Sequence, residues 1–86
     1  MANRYWVGGS GNWSDTAHWS DVVSGTGGAS VPTVGDTANI FYVDASTTIN
    51  QDVDITGLAY FYFGSFSGTF NTNSHSISVT DMFEVP

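Results

Sequence analysis

Ile55-Thr56-Gly57-Leu58-Ala59-Tyr60-Phe61 is echoed further along the chain by Ile77-Ser78-Val79-Thr80-Asp81-Met82-Phe83, and the two segments share Ile at one end and Phe at the other. Thr56 against Ser78 and Tyr60 against Met82 are similar in kind. A period near twenty, made of short strands and turns, is the sequence form of a β-solenoid. There each turn of chain buries its inward side chains by stacking on the next. A two-sheet sandwich also gives short strands at this spacing. The fold class is therefore all-β, either a short solenoid-like stack or a β-sandwich, with a Trp/Gly-rich N-terminal cap. No window carries sustained helical spacing.

Working outward, Leu58 to Phe63 reads LAYFYF, apolar on both strand faces. Thr37 to Val43 does the same: Ala38, Ile40 and Tyr42 alternate with Asn39, Phe41 and Val43. Such strands are buried on two sides, or turn their outer face to another chain. Asp44-Ala45-Ser46 reads as a turn and Thr47 to Asn50 as a short strand. Val53 and Ile55 alternate with Asp52, Asp54 and Thr56, which predicts a strand with one wet face. Gly64 to Gly68 and Asn71 to Ser74 read as turns flanking a short strand from Thr69, and Ile77, Val79, Met82, Phe83 and Val85 close the chain. Residues 1–36 form a cap and loop, residues 37–86 a strand region, and both belong to one domain.

Within the cap, Arg4 to Val7 is β-prone and is closed by Gly8-Gly9. Asn12 to Ser20 fits a strand or a turn, and Ser14-Asp15 stands where it could cap one helical turn through Ala17. Asp21 to Gly35 reads as loop, with Pro32 extending Val31. Trp6, Trp13 and Trp19 all fall here, with Gly8-Gly9-Ser10-Gly11-Asn12 between the first two. Indoles are large and their N–H groups need partners. Glycines supply the turns that fold so short a segment on itself. The three rings form a structural aromatic cluster or, alternatively, a sugar-stacking platform in which Tyr5 joins them and Asn12, Asp15 and Asp36 bind hydroxyls.

Net charge is −7, from eight acids against Arg4 alone, with no lysine. Phosphate-based nucleic-acid binding needs clustered Lys and Arg and is not expected. Anionic membrane surfaces would repel the chain, and no apolar run approaches the roughly 20 residues of a spanning helix. With no cysteine, no disulfide framework supports the core. Aromatics at 15% against 10% charged residues place the chain far from disordered composition. The start MANRYW lacks the basic-then-apolar plan of a secretion signal, so export by that route is not expected.

Trp6-Val7-Gly8-Gly9-Ser10-Gly11-Asn12-Trp13-Ser14, then Ala17-His18-Trp19-Ser20, then Gly27-Gly28-Ala29-Ser30-Val31-Pro32 and Gly35-Asp36 resemble an opening found in phage structural proteins of the fibre, tail or head-decoration kind. The stretch is also similar to the opening of autotransporter-type passenger solenoids. In detail the resemblance runs from Trp6 to Asp36. It implies a structural role in a virion, with a bacterial cell-surface adhesin as the alternative, and attaches no chemistry to the motif. The chain differs from both groups in holding about two turns of repeat, as a short relative or as the front of something longer.

Enzyme activity is not expected. His18 and His75 are the only imidazoles, there is no cysteine nucleophile, and no serine sits in a G-x-S-x-G elbow. His18 reads as a packed or hydrogen-bonded ring and His75 as solvated. Asp15, Asp36, Asp44, Asp52 and Asp54 could supply a carboxylate pair. Asp52 and Asp54, on one face of a strand and about 6–7 Å apart, read instead as a solvated edge. Calcium through Asp44, Asp52 or Asp54 lacks the spacing of a known loop. No cofactor or metal is expected.

The functional weight falls on assembly. Phe41, Tyr60, Phe61, Tyr62, Phe63 and Phe83 are the interface candidates, because interfaces favour aromatics and exclude Lys at their centre. The expected partners are copies of the chain, as a trimer, and other virion proteins such as the major capsid protein, with a glycan in the adhesin reading.

Overall fold

Two ladders of parallel strands carry the chain. The computed structural model describes residues 2–84, apart from the side chains at 42, 65 and 82–84. Its strands are β1 (Asn3–Trp6), β2 (Gly11–Asn12), β3 (Trp19–Ser20), β4 (Thr37–Val43), β5 (Thr48–Asn50), β6 (Ile55–Phe66), β7 (Thr69–Asn71) and β8 (Ile77–Glu84), and a single 3₁₀ turn spans Thr16–His18. The protein is all-β. A five-stranded sheet runs β3-β1-β4-β6-β8 and a three-stranded sheet runs β2-β5-β7.

Parallel neighbours need a long crossover, and here each crossover is a strand of the other sheet. β4 leads into β5 before the chain returns as β6, and β6 leads into β7 before it returns as β8. Thr37 pairs with Tyr60 and Val43 with Phe66 in the large sheet, and Thr48 pairs with Thr69 in the small one. Ile55 pairs with Ile77, Tyr60 with Met82 and Phe61 with Phe83. The sequence repeat is thus a spatial register at its two ends, while between them the register shifts around Gly57 (φ +67°), so that Leu58 lies beside Val79 rather than Thr80. β3 alone is antiparallel, with Trp6 opposite Trp19 at the N-terminal end of the stack.

The core lies between the sheets. Trp6, Trp13, Trp19, Ala38, Ile40, Val43, Ile49, Ile55, Leu58 and Phe61 are buried there, and Phe63, Phe66 and Phe70 pack against them. The cap is not a separate layer, since Asn3, Arg4 and Tyr5 pair with Thr37, Ala38 and Asn39.

Two segments differ from the sequence expectation. Residues 51–54 are a corner, and the strand begins only at Ile55. Side chains there take up backbone groups that a ladder would otherwise pair. Gln51 Nε2 donates to the carbonyls of Val53 and Ser76 at 3.1 and 2.8 Å. Conversely, β6 runs through Gly64, where a turn was expected, and ends at Phe66. Its partner β4 sets that length, with Phe41 opposite Gly64. A side chain at Gly64 would come within 2.8 Å of the Phe41 ring, so this ring covers the bare backbone. Val85 lies outside the described residues.

Candidate functional site

The Trp/Gly segment folds into a closed aromatic block. Gly8 and Gly9, at φ +85° and +81°, turn the chain after β1. Asp15 caps the 3₁₀ turn by accepting from Ala17 N at 3.0 Å, which swings His18 back onto β1. The His18 ring stacks on Trp6 with centroids 4.6 Å apart and planes within 2°. Its Nδ1–H donates to the Val7 carbonyl at 2.7 Å, while Val7 N donates to the His18 carbonyl at 2.8 Å. The other edge of the imidazole fills the place of a side chain at Gly11, where a Cβ would collide with Nε2. Trp19 meets Trp6 and Trp13 edge-on at 5.3 and 4.6 Å. Trp13 continues to Phe61 at 5.5 Å and to Phe70 at 5.9 Å, joining the cap to both sheets.

Two of the three indole donors are used inside the protein. Trp6 Nε1 donates to the Gly9 carbonyl at 2.9 Å and Trp19 Nε1 to the Trp13 carbonyl at 2.7 Å. Trp6, Trp13 and Trp19 are all buried. They offer no ring face to a sugar, so the platform reading of these three gives way to the structural cluster.

The acids brace backbone rather than each other. Asp36 accepts from Ala2 N and Thr33 N, both at 2.9 Å. Burial alone would raise its carboxyl, but these amides outweigh it and hold it below the usual carboxylate value. Asp52 accepts from the amide and hydroxyl of Ser14 in the turn before it. Its burial also acts upward and is outweighed by Ser14. Asp54 accepts from Ser76 N and His75 Nδ1, each at 3.0 Å, in the turn after it, and is lowered by those two contacts. Asp44 is lowered by Ser46 and Thr47 in its own turn. Asp52 and Asp54 therefore face neighbouring turns in opposite directions rather than forming a strand edge. Among the described residues no three His, Asp or Glu gather as a cation site.

The interface candidates divide by face. Phe61 is fully buried, and Phe63 stacks on it at 4.9 Å and meets Phe66 and Phe70. These two belong to the core, not to an interface, because strand alternation turns odd positions of β6 inward here. Phe83 stands in the row of Phe61 by register, and its side chain lies outside the described ones. Phe41, Tyr60 and Tyr62 lie on the outer face of the large sheet, half-buried. Tyr60 stacks on Tyr62 with centroids 5.6 Å apart and planes within 10°. Tyr5, which enters through β1, meets Phe41 at 6.0 Å. Asn39 sits between Tyr5 and Tyr62 in one row, buried, with Nδ2 donating to the Arg4 carbonyl at 3.2 Å. The β4 and β6 rows of this face are Thr37–Tyr60, Asn39–Tyr62 and Phe41–Gly64, without a charged side chain.

Sequence reasoning missed the second ladder's internal repeat. Thr48-Ile49-Asn50 and Thr69-Phe70-Asn71 lie in register, and Asn12 joins Asn50 and Asn71 in one row. The recurrence of T-x-N at Thr48 and Thr69 was the available signal. Gln51, fully buried between turns, left no such trace.

No family model matches the chain, and neither a curated protein nor a solved structure shows significant similarity to it. Among the described residues no helix is long and apolar enough to cross a membrane.

Proposed function

We propose that the protein is a structural component of a bacteriophage virion, a head-decoration protein or the base of a fibre, that works by docking folded copies side by side. In this reading the chain is a short β-solenoid, and the parallel registers of β4 on β6, β5 on β7 and β6 on β8 are its stacking period. The observation that carries the proposal is the outer face of the large sheet. On a chain of net charge −7, the β4 and β6 rows there hold Tyr60, Tyr62 and Phe41 and no charged side chain. An aromatic patch whose nearest acid by register is Glu84, at its β8 edge beside Tyr62, has the composition of an interface centre. The cap and corners, where the acids cluster, stay in water and keep the assembly soluble.

A homo-oligomer, with a trimer as the expected form, seats this face against its copies, and a capsid or tail protein is the larger partner. The resemblance of the Trp6–Asp36 opening to phage structural proteins supports the virion setting. Light scattering on the eluting peak of a size-exclusion column tests the proposal. A multiple of the 9.2 kDa chain mass is expected at micromolar concentration, and a persistent monomer would refute self-docking.

A further inference from the structure

A second surface of the molecule has the opposite character. The loop through residues 31–34 crosses over residues 53–56, where the corner runs into β6, and is tied there by Gly35 N, which donates to the Gly57 carbonyl at 2.9 Å. Between them lies a cleft of about 290 Å³. Its floor is Trp13, Pro32 and Ile55, all buried, and its rim is Val34 and Val53, 72% and 41% exposed. Val34 lies against the bare Gly57 backbone, and together with Val53 it leaves an open aliphatic rim around a hole floored by the buried Trp13. Asp54 also lines the cleft. Its contacts to His75 and Ser76 both use Oδ1.

The volume is at the small end of the roughly 300–1,000 Å³ that bound small molecules occupy, and suits an apolar side chain or two. Charge decides what carries that side chain. The chain has eight acids, and its single cation, Arg4, is engaged with the carbonyl and hydroxyl of Ser30. A second copy would bring the same excess of negative charge to a rim that already holds Asp54. A basic segment would be attracted to it.

We propose that this cleft docks one apolar side chain of a partner protein's segment whose flanking residues are Lys or Arg. Self-docking uses the outer sheet face; this site takes a different protein, and either can stand without the other.

Nuclear magnetic resonance titration of the ¹⁵N-labelled full chain tests it, with capped pentapeptides carrying Leu between two pairs of Lys, Leu between two pairs of Glu, or Ala between two pairs of Lys. The Lys–Leu peptide is expected to shift the amides of Val34, Val53 and Thr56 and the Trp13 indole N–H. It should bind at least tenfold more tightly than the Glu–Leu and Lys–Ala peptides, and weaken as salt is raised. Val34→Ser, at an exposed position that should leave the fold intact by circular dichroism, should lower affinity at least fivefold, and Asp54→Asn should flatten the salt dependence. Absence of cleft shifts at millimolar peptide, equal binding of the Leu and Ala peptides, or shifts gathered at Tyr60 and Tyr62 would each overturn the proposal.

Discussion

The cap and the stacked turns solve the same problem, burying a short chain, in different ways. From Thr37 onward, burial comes from repetition: Ala38 lies beside Phe61 and Ile49 beside Phe70, each turn covering its neighbour. In the cap three indoles and an imidazole fill the core by bulk, and β3 closes the sheet with an antiparallel pair. The aromatic block is expected to be the less tolerant of truncation, because each ring closes the space left by the others.

Substitutions can break that contrast. Trp13→Ala removes the ring that touches Trp19, Phe61 and Phe70 together. Unfolding in urea should show a loss of about 3–5 kcal/mol, more than Ile49→Val in the stack, which should lose about 0.5–1.5 kcal/mol. A smaller loss at Trp13 than at Ile49 would reverse the comparison.

Gly11→Ala sharpens it. The new Cβ falls on His18 Nε2 and must expel the ring from Trp6. A cost of about 1–3 kcal/mol is expected, as for other overpacked sites. Thermal melts of Gly11→Ala and His18→Ala, alone and combined, should show strong non-additivity, because both disturb one contact. Additive losses would mean that the imidazole does not fill the Gly11 space.

Acid separates the two regions more gently. Asp36 in the cap and Asp44, Asp52 and Asp54 at the corners all lie below their ordinary value. The unfolded chain therefore takes up protons at higher pH than the folded one. The stability these groups contribute is present above the unfolded carboxyl value of about 3.9 and is lost as pH falls through the folded values. Asp36→Asn should cost about 1.5 kcal/mol at pH 7, from weakened hydrogen bonds to Ala2 and Thr33, and should reduce the acid dependence of the melting temperature. An unchanged pH profile in that variant would remove Asp36 from the account.

The smallest effect on folding should come from the outer face. Tyr62→Glu loses the stack on Tyr60 and stands beside Glu84 by register, so it should cost about 1 kcal/mol or less, yet bring the mass of the assembled species down to that of one chain. A folded Tyr62→Glu variant that still assembles would move the interface elsewhere.

Much of the stack was legible. The alternation of Ala38, Ile40 and Leu58 to Phe63 marked strands, and the alignment of Ile55 and Phe61 with Ile77 and Phe83 marked which residues pair. The cap of Asp15 was one of the readings open for Asn12 to Ser20, beside a strand or a turn, and contacts with Ala17 and Thr16 decided it. Faces were harder. LAYFYF offers aromatics at every position from Tyr60 on, and period-two reading cannot say which set is inside. The Val34–Val53 cleft could not be seen at all, as its two sides are far apart in the chain and neither carries a motif.

Sequence by itself determined that this is an all-β chain of short strands, poor in cations and rich in rings, because composition and two-residue alternation are local properties. Tertiary structure decided the rest: that the pairs are parallel, that Phe61 and Phe63 face in while Tyr60 and Tyr62 face out, and that the tryptophans are closed to solvent. Those outcomes depend on which distant segment lies alongside, and a parallel ladder takes its register from a strand on the far side of a crossover.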